Sequence, residues 1–273
     1  MNNILENHTF LLAFDLDGTL LTSDKTIGEK TKALLKELAS KGNKIVLASG
    51  RPLRSVKQYA EELSIPGPYI GYNGALIASG NTSFPPFEKK IKKEVFNSFY
   101  SRFKGDIDNF MVEDLIDQYY KKENKDYVNF FHPEGMKVHL GEEYLPIPKD
   151  LNTVVVRTDS SLHHQDMQDY LHTLDNNLAL RFWFHEPLFC EFYFLDTDKA
   201  TAIDRVRKYY GIDRAHSIAF GDAYNDLEMI KSAGISVAMK NGAPELQEVA
   251  DYVTPEDNDH EGIYWMLKKL LNE

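Results

Sequence analysis

The sequence predicts an α/β protein in which a doubly wound parallel sheet is interrupted by an inserted α+β domain, and three observations carry that prediction. Short apolar runs alternate with stretches of helical spacing near the start of the chain. Between about residues 84 and 193 the alternation gives way to a more aromatic, mixed pattern. From Lys199 onward it resumes. A length of 273 residues accommodates one α/β domain with a smaller one inserted. The core is therefore assigned to residues 1–83 and 194–273, and the insert to 84–193.

Thr9–Phe14 is a continuous apolar run, the mark of a strand buried on both faces. Ile27, Thr31, Leu34, Leu35 and Leu38 then share one helical face, and Gly42 stops the helix. Lys44–Ala48 reads as a second strand with Ser49-Gly50-Arg51-Pro52 as its exit loop, Leu53–Leu63 as a helix, and Tyr69–Tyr72 as a third strand. Asn73-Gly74 is expected to turn a hairpin back through Ala75–Ala78. Ser79–Pro86 has the composition of a hinge. In the insert, helices are expected at Glu88–Lys104 and His164–Asn176, and strands at Asp108–Glu113, Asp117–Lys121, Thr153–Arg157, Ala179–Phe184 and Phe189–Leu195. The resumed core reads as a helix from Lys199 to Tyr210, the strand Ser217–Phe220, a helix at Asn225–Ala233 and the strand Ile235–Met239. A short helix after Pro244, the strand Tyr252–Thr254 and a helix at Gly262–Leu271 complete a Rossmann-like core.

A net charge of −11 argues against a nucleic-acid partner, whose phosphates are held mainly by surplus Lys and Arg. It leaves small phosphate esters open, because a metal ion and a few placed cations make one pocket positive. Cys190 is the single cysteine, so no internal disulfide forms, and a reducing cytoplasm is expected. No run reaches the roughly 18 apolar residues needed to cross a bilayer, and the N-terminus lacks the basic and apolar regions of a signal peptide.

Doubly wound sheets present ligand-handling residues at the C-terminal ends of their strands. There the sequence sets Asp15-Leu16-Asp17-Gly18-Thr19-Leu20, Ser49-Gly50-Arg51 and Gly221-Asp222-Ala223-Tyr224-Asn225-Asp226, with Lys199 opening a helix beside them. Asp15 and Asp17 are two apart, so an extended backbone points both carboxylates one way. With Asp222 they make an oxygen cage that suits Mg²⁺. An ionised Asp15 is a nucleophile able to attack phosphorus. Lys199 neutralises charge on a transferring phosphoryl group, and Ser49 donates to its oxygens. Asp17 is placed to protonate the leaving alkoxide and later to deprotonate water. Each string alone is weak, since Asp-x-Asp-Gly is common in turns and calcium loops. Their arrival in order, each after a strand or at a helix start, gives them weight.

DLDGTLL, SGR, a helix-opening lysine and GDAYND, in that order, resemble the haloacid dehalogenase superfamily. An insert between the second and third motifs resembles its Cof-type phosphatases with a large α/β cap (type IIB). The resemblance covers essentially the whole chain. It implies Asp15 as nucleophile, Asp17 as acid and base, and Mg²⁺ held by Asp15, the backbone carbonyl of Asp17 and Asp222, with Asp226 helping through water. Ser49 and Lys199 become phosphate contacts, joined by Gly50, Asn225 and Asn241, while Arg51 and Asn73 fall on the substrate side. The implied activity is hydrolysis of a small phosphorylated metabolite of sugar, flavin or pyridoxal phosphate type. A phosphomutase, or a non-catalytic regulatory protein on the same fold, is the rival reading. Two positions depart from the pattern: Ala200 stands where glycine is usual, with no loss of activity expected, and His260 replaces an acidic residue in the loop Asp257–Gly262.

Overall fold

The computed structural model describes residues 8–123, 131, 134–183 and 186–272. They divide into two compact units, Met1–Phe87 with Thr197–Glu273, and Glu88–Asp196. In chain order the first unit begins with β1 (Leu11–Phe14), α1 (Glu29–Ser40), β2 (Lys44–Leu47), α2 (Leu53–Glu62), β3 (Tyr69–Gly71) and β4 (Leu76–Ala78). The two-residue β5 (Phe87–Glu88) marks the junction. The second unit contains α3 (Lys93–Phe103), β6 (Ile107–Glu113), β7 (Asp117–Tyr120), β8 (Lys137–Leu140), β9 (Thr153–Thr158), α4 (His164–Leu174), β10 (Leu178–Phe182) and β11 (Phe189–Phe194). The chain then returns through α5 (Lys199–Tyr209), β12 (Ser217–Gly221), α6 (Leu227–Ser232), β13 (Ile235–Ala238), α7 (Pro244–Val249), β14 (Tyr252–Val253) and α8 (Gly262–Asn272).

The first unit is the expected doubly wound sheet, with strand order β14-β13-β12-β1-β2 and every pairing parallel. Side chains alternate between its faces because the strand period is two. Leu12, Phe14, Ile45, Leu47, Ile218 and Phe220 are buried with α1, α2 and α8. Leu11, Ala13, Val46, Ala48 and Ala219 are buried with α5, α6 and α7. From β1 the chain goes out to β2 on one side and returns to β12 on the other, so the order reverses between β1 and β12. Ligand sites of open α/β sheets form at such a reversal.

The second unit is a six-stranded sheet of order β10-β11-β9-β6-β7-β8, antiparallel except for β7 with β8. Phe96 and Phe99 of α3 meet Phe110 and Phe192 edge to face. The alternate residues Met111, Tyr120 and Val155 form a smaller cluster with Phe131. β8 went unforeseen: Lys137–Leu140 is an edge strand of largely exposed residues, without the apolar signature of a buried strand. The strand expected at Ala179–Phe184 is Leu178–Phe182, and position 184 lies outside the described residues.

Two local expectations need correction. The hairpin between β3 and β4 turns through four residues, 72–75, because Gly71 pairs with Leu76. Tyr72, Asn73 and Gly74 all take positive φ (49°, 52° and 99°), and a Cβ on Gly74 would lie 2.1 Å from the Asp198 carbonyl oxygen. Glycine therefore lets this turn sit against the start of α5. The helix expected from Ile27 begins at Glu29, and no side chain of its own caps it. Its cap comes from a distant segment: the Glu261 carboxylate accepts from Lys30 N and Thr31 N, both at 2.9 Å, and from the Thr31 hydroxyl.

Candidate active site

The C-terminal ends of β1 and β12 meet at the reversal point, and their exit loops carry four of the acids the sequence singled out. Asp15 directly follows β1, and its N–H donates to the Phe220 carbonyl of β12. Burial among fully covered β1 side chains leaves Asp15 only 5% exposed. Asp222 and Asp226 leave β12 through a tight turn, in which the second Asp226 oxygen accepts from Asp222 N and Ala223 N at 3.0 and 3.1 Å. Lys199 sits at the first position of α5, where Asp198 and Thr201 form a reciprocal capping box. Its ammonium, completely buried, bridges Asp15 at 2.5 Å and Asp226 at 2.6 Å. Ala200, next along, is partly buried against the same core face within the first helical turn.

Asp15, Asp222 and Asp226 each bring a carboxylate oxygen within 4.8 Å of the others. Three acids thus face one buried ammonium. Burial raises Asp15 well above the ordinary carboxylate range, against the pull of Lys199, and the charges of Asp226 and Asp222 add to the rise. Burial and the Asp226 charge push Asp222 up to about 7. Lys199 stays protonated, since Asp15 and Asp226 outweigh its desolvation. The set is short of positive charge, and its donors are hard oxygens, the kind that suits a divalent cation. These residues fit a metal ion.

Asp15, Asp222 and Asp226 are the carboxylates that stand together, whereas the Asp17 side chain, expected beside Asp15, is held apart by other partners. The chain turns after Asp15 rather than staying extended: Leu20 N and Leu21 N donate back to Asp15 O and Leu16 O, and Gly18 has φ of 76°. A Cβ on Gly18 would lie 2.4 Å from an Asp222 oxygen, so only glycine lets the turn close on that residue. Asp17 consequently leaves the acid cluster and stands 42% exposed. Arg51 holds its carboxylate through two bonds, Nε to Oδ2 at 2.6 Å and Nη2 to Oδ1 at 2.7 Å, and Lys25 adds a third at 2.7 Å. Burial alone would raise Asp17, but the hydrogen bonds and charges of Arg51 and Lys25 take it down to about 2.

The remaining expected residues gather in the neighbouring loops. Ser49 is buried at the exit of β2, its hydroxyl accepting from Arg51 N at 3.1 Å. Asn73 N donates to the Ser49 carbonyl at 3.0 Å, while the Asn73 side-chain oxygen accepts from Asn225 at 3.0 Å. Gly50 lies against that same Asn73 side chain. Asn241 donates one amide hydrogen to the Gly18 carbonyl at 2.7 Å. His260 is largely exposed and pairs with Asp257, and it approaches none of the acids above. Two contributors went unnoticed in the sequence. Thr19, inside the quoted string, donates to Asp222 at 2.7 Å, whereas Lys25 lies in a polar turn with no motif to mark it.

Residues 12–267 match the family model of the haloacid dehalogenase-like hydrolases. The chain belongs to that family. Among curated relatives it is similar to the 5-amino-6-(5-phospho-D-ribitylamino)uracil phosphatase YitU of Bacillus subtilis, with 28% identity across 98% of this chain and 100% of that protein. Its fold is similar to that of a haloacid dehalogenase-like hydrolase from Bacteroides thetaiotaomicron, with TM-score 0.81, 27% identity, and coverage of 96% and 100%. It is similar also to the subclass IIB sugar phosphatase BT4131 (TM-score 0.74, 23% identity, coverage 96% and 98%), a likeness of fold. This haloacid dehalogenase-like hydrolase is a phosphatase-type enzyme. Among its described residues no helix is long and apolar enough to cross a membrane.

Proposed function

We propose that the chain is a Mg²⁺-dependent phosphomonoester hydrolase that uses Asp15 as nucleophile on a small phosphorylated metabolite. The observation that carries this reading is the group of Asp15, Asp222 and Asp226, two of them buried against Lys199, at the strand reversal. Asp15, Asp222 and the backbone carbonyl of Asp17 would hold the ion, with Asp226 beside them; Mg²⁺ there supplies positive charge that keeps the acids ionised and offsets charge on the phosphoryl oxygens. An Asp15 oxygen attacks phosphorus, the bond to the ester oxygen breaks, and an aspartyl phosphate forms. Lys199, fixed by two carboxylates, presents a charge that needs no reorganisation during transfer. Ser49, Gly50 and Asn225 line the phosphate side.

Asp17 protonates the leaving oxygen and afterwards takes a proton from the water that attacks the phosphoryl group. As it stands, a carboxylate held near 2 is a base and not an acid. Its pair with Arg51 opens when the substrate phosphate draws the guanidinium away, and the nearby anion then raises Asp17 toward the acid form. The inserted unit serves as a cap that reads the leaving group and excludes water. The name of YitU, a 5-amino-6-(5-phospho-D-ribitylamino)uracil phosphatase, supports a small phosphorylated metabolite with a phosphorylated sugar-alcohol chain within the sugar, flavin or pyridoxal phosphate range. A reducing cytoplasm is the assigned setting, in keeping with the buried free thiol of Cys190.

A panel of sugar, nucleotide, flavin and pyridoxal phosphates, assayed for phosphate release with Mg²⁺ and with EDTA, tests the reading. Metal-dependent release from at least one ester is expected. No release from any member sinks the hydrolase assignment, and transfer between sugar positions without release replaces it with a mutase.

A further inference from the structure

The segment between β1 and α1, residues 15–28, carries both aspartates and has no helix or strand, only turns and the isolated bridges of Leu21 with Asp17 and Ile27. A distant loop, residues 257–261, holds it along its length. Asn258 donates its side-chain amide to the Leu21 carbonyl at 2.9 Å. Its backbone N–H donates to the side-chain oxygen of Asn241 at 3.2 Å, and Asn241 in turn donates to the Gly18 carbonyl at 2.7 Å. Asp259 accepts from both the backbone N–H and the hydroxyl of Ser23 at 2.6 Å. Glu261 caps α1, where the segment ends.

The position of these contacts matters because Gly18 is pressed between two partners. Its Cα faces Asp222, while its carbonyl is held by Asn241. Asn241 itself stands on the loop after β13, which is anchored to the β12 exit by Ala243 N donating to the Asp222 carbonyl at 2.8 Å. A shift of the Gly18 carbonyl therefore moves Asp15, Asp17 and the Asp222 contact together. Both amide groups of the chain Asn258–Asn241–Gly18 act on backbone.

We propose that Asn241 and Asn258 are positioning residues: they fix the β1 exit loop so that Asp15 meets its phosphoryl partner in line, and they do not bind phosphate. This rests on the phosphatase reading and deepens it. Near-attack geometry is sensitive to displacements well under an ångström, so loosening one amide contact is expected to cost about tenfold in turnover.

The test compares Asn258→Ala and Asn241→Ala with the unmutated full chain, Glu261→Gln serving as a control that touches only the α1 cap. Hydrogen exchange followed by mass spectrometry reads the loop without reference to catalysis: amides of Leu20 and Leu21 should exchange at least about fivefold faster in both asparagine variants, but not in the control. With Mg²⁺ and p-nitrophenyl phosphate, kcat should fall about tenfold while the inhibition constant for inorganic phosphate stays within about twofold. The double variant should lose little more than the worse single one, because both residues belong to one chain of bonds. Weakened phosphate inhibition in Asn241→Ala, matching its loss of kcat/KM, would make that residue a phosphate ligand and overturn the proposal. Unchanged exchange in the β1 exit loop would overturn it equally.

Discussion

Asp15 and Asp17 sit two residues apart on one loop, yet they occupy opposite electrostatic regions. Around Asp15, two buried carboxylates share one ammonium and a third, partly buried, stands beside them. Around Asp17, one half-exposed carboxylate is shared by a guanidinium and an ammonium. The first region is short of positive charge and the second has an excess. On the proposed reading, metal and phosphoryl chemistry belong where a cation is missing, whereas Asp17 waits with its partners satisfied until an anion competes for them. Arg51 and Lys25 maintain this difference by holding the second carboxylate apart from the first.

The largest expected effect breaks the first region at its centre. Asp15→Asn should lower phosphate release by on the order of 10⁴ while leaving thermal unfolding nearly unchanged. Residual turnover within tenfold of wild type would remove Asp15 from the chemistry. Lys199→Met comes next, with a loss of about 10²-fold in turnover. In that variant the three acids face no ammonium at all, so Mg²⁺ should raise the melting temperature by more than it does in wild type. An equal metal shift in both proteins would show that Lys199 and the ion do not compensate the same charge.

Smaller effects sharpen the second region. Asp17 is depressed to about 2, so its pairing stabilises the fold above the ordinary aspartate value of roughly 3.9 and is lost as pH falls toward 2. Arg51→Met removes most of that contribution. The gap in urea midpoint between wild type and variant should therefore be widest at neutral pH and close between about pH 4 and pH 2. A gap independent of pH would mean that Arg51 supports the loop by packing alone. The smallest effect lies farthest from the acids: Glu261→Ala should destabilise by about 1–2 kcal/mol in urea unfolding, through loss of the α1 cap.

The doubly wound sheet was legible because its strands are buried on both faces and read as unbroken apolar runs, such as Leu11–Phe14. The acids were legible because the exits of β1 and β12 each carry them within a few residues. Their grouping was not: spacing by two suggested that the Asp15 and Asp17 carboxylates point one way, whereas Arg51 and Lys25, far apart in sequence from each other, hold the Asp17 side chain elsewhere. No local pattern marks Lys25 or Asn258, whose importance arises from contacts between segments far apart in sequence. β8 escaped for the converse reason, since an exposed edge strand has little apolar signal to read.

The central claim, a covalent intermediate on Asp15, is tested most directly by trapping it in Asp17→Asn with p-nitrophenyl phosphate. The nitrophenolate leaves without a proton, so the first step proceeds, but the second step lacks its base and the intermediate should accumulate. Acid quenching and peptide mass spectrometry should then find one phosphoryl group on the peptide bearing Asp15, after a burst of about one nitrophenolate per enzyme. Steady nitrophenolate release with no burst and no phosphorylated Asp15 peptide would contradict the account.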